Sequence, residues 1–283
     1  MKKQLIFLII GSFFTFFGVS QTNNDNNPKH INCYKIPEPI KTGDVTISFD
    51  DAVSKMDYVK LKVKITNNTA DYIMFNPSEC IFEYKEAIDK EPIKKPAKNK
   101  EKFILIKPYD KTSKIIETSG DINFHKDSFE LKINGLYKVS SKGNAVNAPD
   151  YQLPVTTNKF DAGNFSLNMT NLVKETKITE IEFKCIYNGN GVGIIEPSRV
   201  VIKLQNGQEF ATTNLDAKTI LLEKGEDDKF FLTFKIPAKI TDMQFATMFL
   251  TWKLTFAEST KDAIPISTFK FKIDEELTAV KNK

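Results

Sequence analysis

Arginine is almost absent from this chain: Arg199 stands alone among 40 basic residues, and the rest are lysine. Base reading and bidentate phosphate clamping favour the planar guanidinium fork, so a nucleic-acid partner is not expected. Histidine is limited to His30 and His125, and cysteine to Cys33, Cys80 and Cys185. A zinc centre needs three or four closely spaced ligands, and a nucleophile needs a base within hydrogen-bond reach. Neither pattern occurs, so no catalytic residue, cofactor or metal is expected. Three cysteines are also too few for a disulfide-held scaffold. Cys80 and Cys185 fall on inward strand faces as small hydrophobes, and a Cys33–Cys80 bridge stays open on sequence grounds.

What is present is a long-range repeat. Gly43 to Tyr84 recurs without a gap as Gly163 to Leu204, at an offset of 120 residues. Gly43 falls on Gly163, Val53 on Val173, Asn68 on Asn188, and Pro77-Ser78 on Pro197-Ser198. The apolar alternation matches as well: Leu61, Val63 and Ile65 fall on Ile181, Phe183 and Cys185. A period of this length is that of a domain. Val59 to Ile65, with lysines at 60, 62 and 64, has one buried and one wet face, as in an antiparallel sheet. Seven or eight short alternating strands per copy predict an all-β protein: two tandem immunoglobulin-like antiparallel β-sandwich domains arising from an internal duplication.

The expected divisions are a secretory signal at 1–20, a disordered leader and lead-in at 21–42, sandwiches at 43–160 and 161–275, and a charged tail at 276–283. The signal rests on Lys2-Lys3, an apolar run from Leu5 to Phe17 and small residues before Gln21. That run is shorter than the ~20 residues a bilayer span needs. The mature chain is therefore expected to be secreted or periplasmic, without a membrane span. Gly189-Asn190-Gly191-Val192-Gly193 lacks the lysine and helix of a phosphate-binding loop and reads as a hairpin turn. Asp50-Asp51 with Asp57, and Glu226-Asp227-Asp228, offer oxygen ligands of the kind Ca²⁺ takes but read as hydrated turn carboxylates.

The spacing of strand, Asn turn, Pro-Ser and closing strand resembles the bacterial Ig-like domains of unknown function of the DUF4352 type. That resemblance implies a secreted or anchored β-sandwich and supplies no catalytic residues. One segment departs from the repeat. Glu86 to Lys102 is charged and proline-stiffened and reads as a projecting loop, dispensable for folding. Its lysines Lys90, Lys94, Lys95, Lys98 and Lys100 are the candidate contacts to a polyanion or partner. The resulting expectation is a non-enzymatic, exported binding or structural protein whose partner is an unidentified protein or envelope polymer. The alternative is a chaperone-like two-domain Ig protein offering a strand edge to a client.

Overall fold

The computed structural model describes residues 27–85, 91–98, 103–266 and 268–283. The signal-like segment, and Lys90 and Lys100 of the candidate set, lie outside the described residues. Antiparallel β-strands dominate, as the alternation predicts. Each repeat begins with a long hairpin: Val45–Lys55 on Tyr58–Asn67, and Phe165–Lys174 on Ile178–Tyr187. Both hairpins slip register once, between Asp50 and Val53 and between Met169 and Asn171. Val63, Ile65, Phe183 and Cys185 are fully buried, as their place in the alternation requires.

After each hairpin comes a short strand, Tyr72–Phe75 or Val192–Ile195, then a single turn of 3-10 helix, Pro77–Glu79 or Pro197–Arg199. Proline fits the first position of such a turn because the N–H it lacks has no partner there. All four residues of both short strands are buried, since each lies in a sheet covered on both faces. Ile73 and Phe75 face the first core. Tyr72 and Met74 face the other way and meet Val192, Ile194 and Leu221 of the second unit. A strand buried on both sides reads as a continuous apolar run, not an alternating one.

The strand pairing departs from an even division of the chain at 160. Leu136–Val139 lies in the first unit, on Tyr72–Phe75. The chain then crosses over: Asn144–Val146 pairs with Phe256–Ser259, and Tyr151–Leu153 with Met248–Trp252. The reciprocal crossing follows Ser259. Lys261–Ala263 returns to pair with Leu136–Val139, and Thr268–Ile273 pairs with Ser128–Lys132. The second unit is thus one continuous stretch, whereas the first is closed by the last strands of the chain. At the crossing the two backbones nearly touch. Ser259 Oγ donates to the Ser140 carbonyl at 3.1 Å. Gly143 (φ +41°) sits where a Cβ would lie 3.0 Å from the Glu258 carbonyl oxygen.

Three further expectations are corrected. Residues 32–41 are ordered: Asn32–Lys35 pairs with Val45–Lys55 on one side and Thr268–Ile273 on the other. It thereby fuses two sheets into one of nine strands. The edges it fills exist only because Thr268–Ile273 returns to the first unit, which local sequence pattern does not show. The C-terminal segment is not a tail. Asp274 accepts from the Leu277 N–H and caps the helix Glu275–Lys281, whose Thr278 Oγ1 accepts from the Cys33 N–H at 2.9 Å. The charged insert is not wholly a loop, since Ile93–Pro96 adds to the edge strand Ile81–Tyr84 and Ala97 is buried. In the second unit Glu209–Ala211 takes the same place on Val200–Leu204. All three cysteines are buried and free, so Cys33 and Cys80 are not bridged.

Candidate functional site

The three cysteines are all buried. Burial pushes the thiols of Cys80 and Cys185 up to about 12 and raises that of Cys33, far from the depressed values of reactive cysteines. His125 is buried, with Nε2 3.0 Å from the His30 carbonyl oxygen and its ring edge-on to His30. No group of three His, Cys, Asp or Glu that could hold a metal occurs among the described residues. Arg199 donates to the Leu254 carbonyl at 3.2 Å.

The most distinctive surface is the outer face of the nine-stranded sheet where Ile93–Pro96, Ile81–Tyr84, Ser128–Lys132, Thr268–Ile273 and Asn32–Lys35 lie side by side. The register sets the order of side chains across it. Lys94 opposes Glu83, Glu83 opposes Glu130, and Glu130 opposes Lys270. On one side of this row Lys35 opposes Lys272, which opposes Ser128. Lys132 lies on the other side, and Lys85 follows Tyr84 on its strand. The inward residues Phe82, Phe129, Leu131, Phe269 and Phe271 belong to the core, which fixes the lysines outward by strand periodicity.

Two carboxylates hold this lattice together. Glu83 Oε1 lies 2.8 Å from Lys132 Nζ and 4.0 Å from Lys94 Nζ. Glu130 Oε1 lies 3.5 Å from Lys270 Nζ and 3.7 Å from Lys85 Nζ. Four lysines (85, 94, 132 and 270) surround these two glutamates, and Lys35 and Lys272 lie beside them on neighbouring strands. Like charges directly opposite each other on a strand pair are unfavourable, and Lys35 with Lys272 is such a pair. The matching sheet of the second unit carries balanced pairs instead, Lys203–Asp150 at 3.0 Å and Lys253–Glu209 at 2.9 Å. The fold therefore does not impose the excess of lysine. A face of ammonium groups without arginine can bind anionic groups as separate point charges, many at once and weakly each.

Of the lysines singled out in the sequence, Lys94 lies on this face. Lys95 turns inward and is half-buried, with Nζ close to Gly120. Lys98 donates to Ser119 Oγ at 2.6 Å, and its backbone bridges to Glu117. Among the described lysines of the arm, Lys94, Lys95 and Lys98 thus have separate surroundings, and Lys94 joins a cluster drawn from other strands. Lys132, Lys270 and Lys272 alternate with core residues on their strands, a signal present in the sequence. Their meeting with Lys35 and Lys85 depends on the returning C-terminal strand, which local pattern does not show.

No family model matches the chain, and no curated protein matches it. Among solved structures it is similar to BpGH86A, a β-porphyranase of glycoside hydrolase family 86 from the human gut bacterium Bacteroides plebeius. That similarity is 10% in sequence identity, covers 84% of this chain and 38% of that one, and has a TM-score of 0.14.

Proposed function

We propose that the chain is an exported, non-catalytic binding protein whose lysine face docks onto an anionic polymer at the cell envelope or outside the cell. The observation that carries this reading is the unbalanced cluster of six lysines on one sheet face, against paired charges on its counterpart. Export is read from the signal-like N-terminus. The two units are read as diverged immunoglobulin-like copies of one ancestral domain, supported by matching hairpins, 3-10 turns and edge strands at nearly constant spacing. The test is titration with a soluble polyanion such as heparin. Binding should be present at low salt, weaken steeply as salt approaches physiological strength, and disappear in a Lys270→Glu/Lys272→Glu variant with an unchanged melting temperature. Undiminished binding by that variant would remove the face from the proposal.

A second reading follows from the outer edges. Lys111–Ser119 and Asp227–Lys235 end their sheets and expose Ile115 (60%) and Phe231 (56%). Addition of an extended client strand there would place a partner side chain beside each of them. Hydrogen-exchange protection confined to these two strands on adding an extended apolar peptide would select this reading over the first.

A further inference from the structure

The connection that follows the outer edge strand is built differently in the two units. In the first unit Gly120–Asp127 folds inward, with Phe124 fully buried and its N–H donating to the Met56 carbonyl at 3.0 Å. In the second unit Met243, also fully buried, donates in the same way to the Thr176 carbonyl at 3.1 Å. The tether and its apolar anchor are therefore the same. The second connection is longer, and the extra residues carry Ile240 (41% exposed) and Phe245 (78% exposed) into solvent. Phe245 is the most exposed large hydrophobic side chain among the described residues. Nothing in the shared architecture requires it there, because the first unit closes the same gap with its phenylalanine inside.

The surroundings of this loop are apolar and cationic. Beside it runs an open groove of about 640 Å³, lined by Ile178, Pro237 and Ala238 with Lys177, Lys235 and Lys239. Lys174 is tied down, its Nζ donating to the Ala246 carbonyl at 2.8 Å. The acids of the same segments are Glu175, exposed, and Asp242, whose Oδ1 accepts from the Gln244 N–H at 3.0 Å. An exposed aromatic and an aliphatic side chain flanked by lysines suit the boundary of an anionic bilayer. There the rings and methyl groups enter the acyl margin while the ammonium groups meet the headgroups. A soluble polyanion would use the lysines but offers nothing to Phe245.

We propose that the loop Pro237–Thr247, with Lys177 and Lys235, is a peripheral membrane-docking tip selective for anionic lipid. It is distinct from the lysine face and tested separately from it. The full chain is sedimented with phosphatidylcholine vesicles and with vesicles also containing phosphatidylglycerol. The expected result is binding to the anionic vesicles only, weakened about fivefold by each of Lys177→Ser and Lys239→Ser. Phe245→Ser should lower it about tenfold while leaving heparin binding and the melting temperature unchanged. Equal sedimentation of Phe245→Ser and the parent would overturn the proposal. So would vesicle binding abolished by Lys270→Glu/Lys272→Glu with Phe245 intact, which would assign the contact to the lysine face.

Discussion

At the residue scale, the clearest determinants are aromatic rings and the glycines that admit them. Tyr187 is buried against Phe165 at a centroid distance of 5.0 Å. A Cβ on Gly193 would lie 2.7 Å from both rings, and one on Gly189 would lie 2.2 Å from the Tyr187 hydroxyl. Gly189 and Gly193 are thus steric allowances for one tyrosine, and Gly191, where a Cβ would meet the Ser259 carbonyl oxygen, is one for the backbone. Gly193→Ala should cost about 1–3 kcal/mol through overpacking, measured by denaturant titration. Val63→Ala and Phe183→Ala should cost about 2–4 kcal/mol, and Lys62→Ala on the wet face less than about 0.5 kcal/mol. Equal losses at Val63 and Lys62 would refute the assigned faces.

The buried phenols make a further residue-scale prediction. Burial pushes Tyr34 and Tyr72 up to about 12, and Tyr84 higher still, against about 10 in an unfolded chain. A raised folded-state value means that their contribution to stability is complete below pH 10. It is lost as pH rises from there towards 12, because the unfolded chain releases these protons first. Of the eight tyrosines, Tyr34 and Tyr84 should therefore ionise only as the chain unfolds. Tyrosinate absorbance followed beside circular dichroism checks this. All eight ionising near pH 10 with the sheet signal intact would contradict it.

At the element scale, the charged insert shows how composition misleads about edges. Lysine and proline are the residues that natural edge strands use to discourage further pairing. Ile93–Pro96 carries them for that reason and still hydrogen-bonds to Ile81–Tyr84. Deleting Asp89 to Lys100 therefore removes a strand and the buried Ala97, contrary to the expectation of a dispensable loop. The loss should be at least about 2 kcal/mol, from several ladder hydrogen bonds of roughly 1 kcal/mol each. A thermal melt that overlays the parent would restore the loop reading. The helix Glu275–Lys281 was legible in principle: an Asp cap, two glutamates in the first turn and a lysine in the last complement its dipole. Its charge, taken alone, suggested a tail.

At the scale of the whole molecule, the reciprocal crossing makes the units unequal. Residues 144–259 contain every strand of the second unit, whereas the first depends on strands some 130 residues away in sequence. Removing 261–283 should expose the face of Ser128–Lys132 and unravel the nine-stranded sheet, while the second unit persists. Limited proteolysis of the truncated chain should leave a resistant fragment close to 144–259. Rapid digestion of both units together would show that the interface, with Tyr72 Oη donating to Glu196 at 2.6 Å, couples them fully. Among the described residues no helix is long and apolar enough to cross a membrane.

The sequence by itself determined the strand class, the repeat spacing and the inward face of each strand. These depend on local periodicity: a side chain's face follows from its parity along the strand, whatever the neighbour. The tertiary structure alone decided which strand lies beside which. Asn144–Val146 and Lys261–Ala263 follow equivalent strands and alternate no differently from strands that stay at home. Their exchange is set by backbone approach at Gly143, by the shared interface of the two double-covered sheets, and by the pairing of Thr268–Ile273 with Asn32–Lys35. These are contacts between residues more than 100 positions apart. Local pattern carries no record of them, and the lysine face exists only because of them.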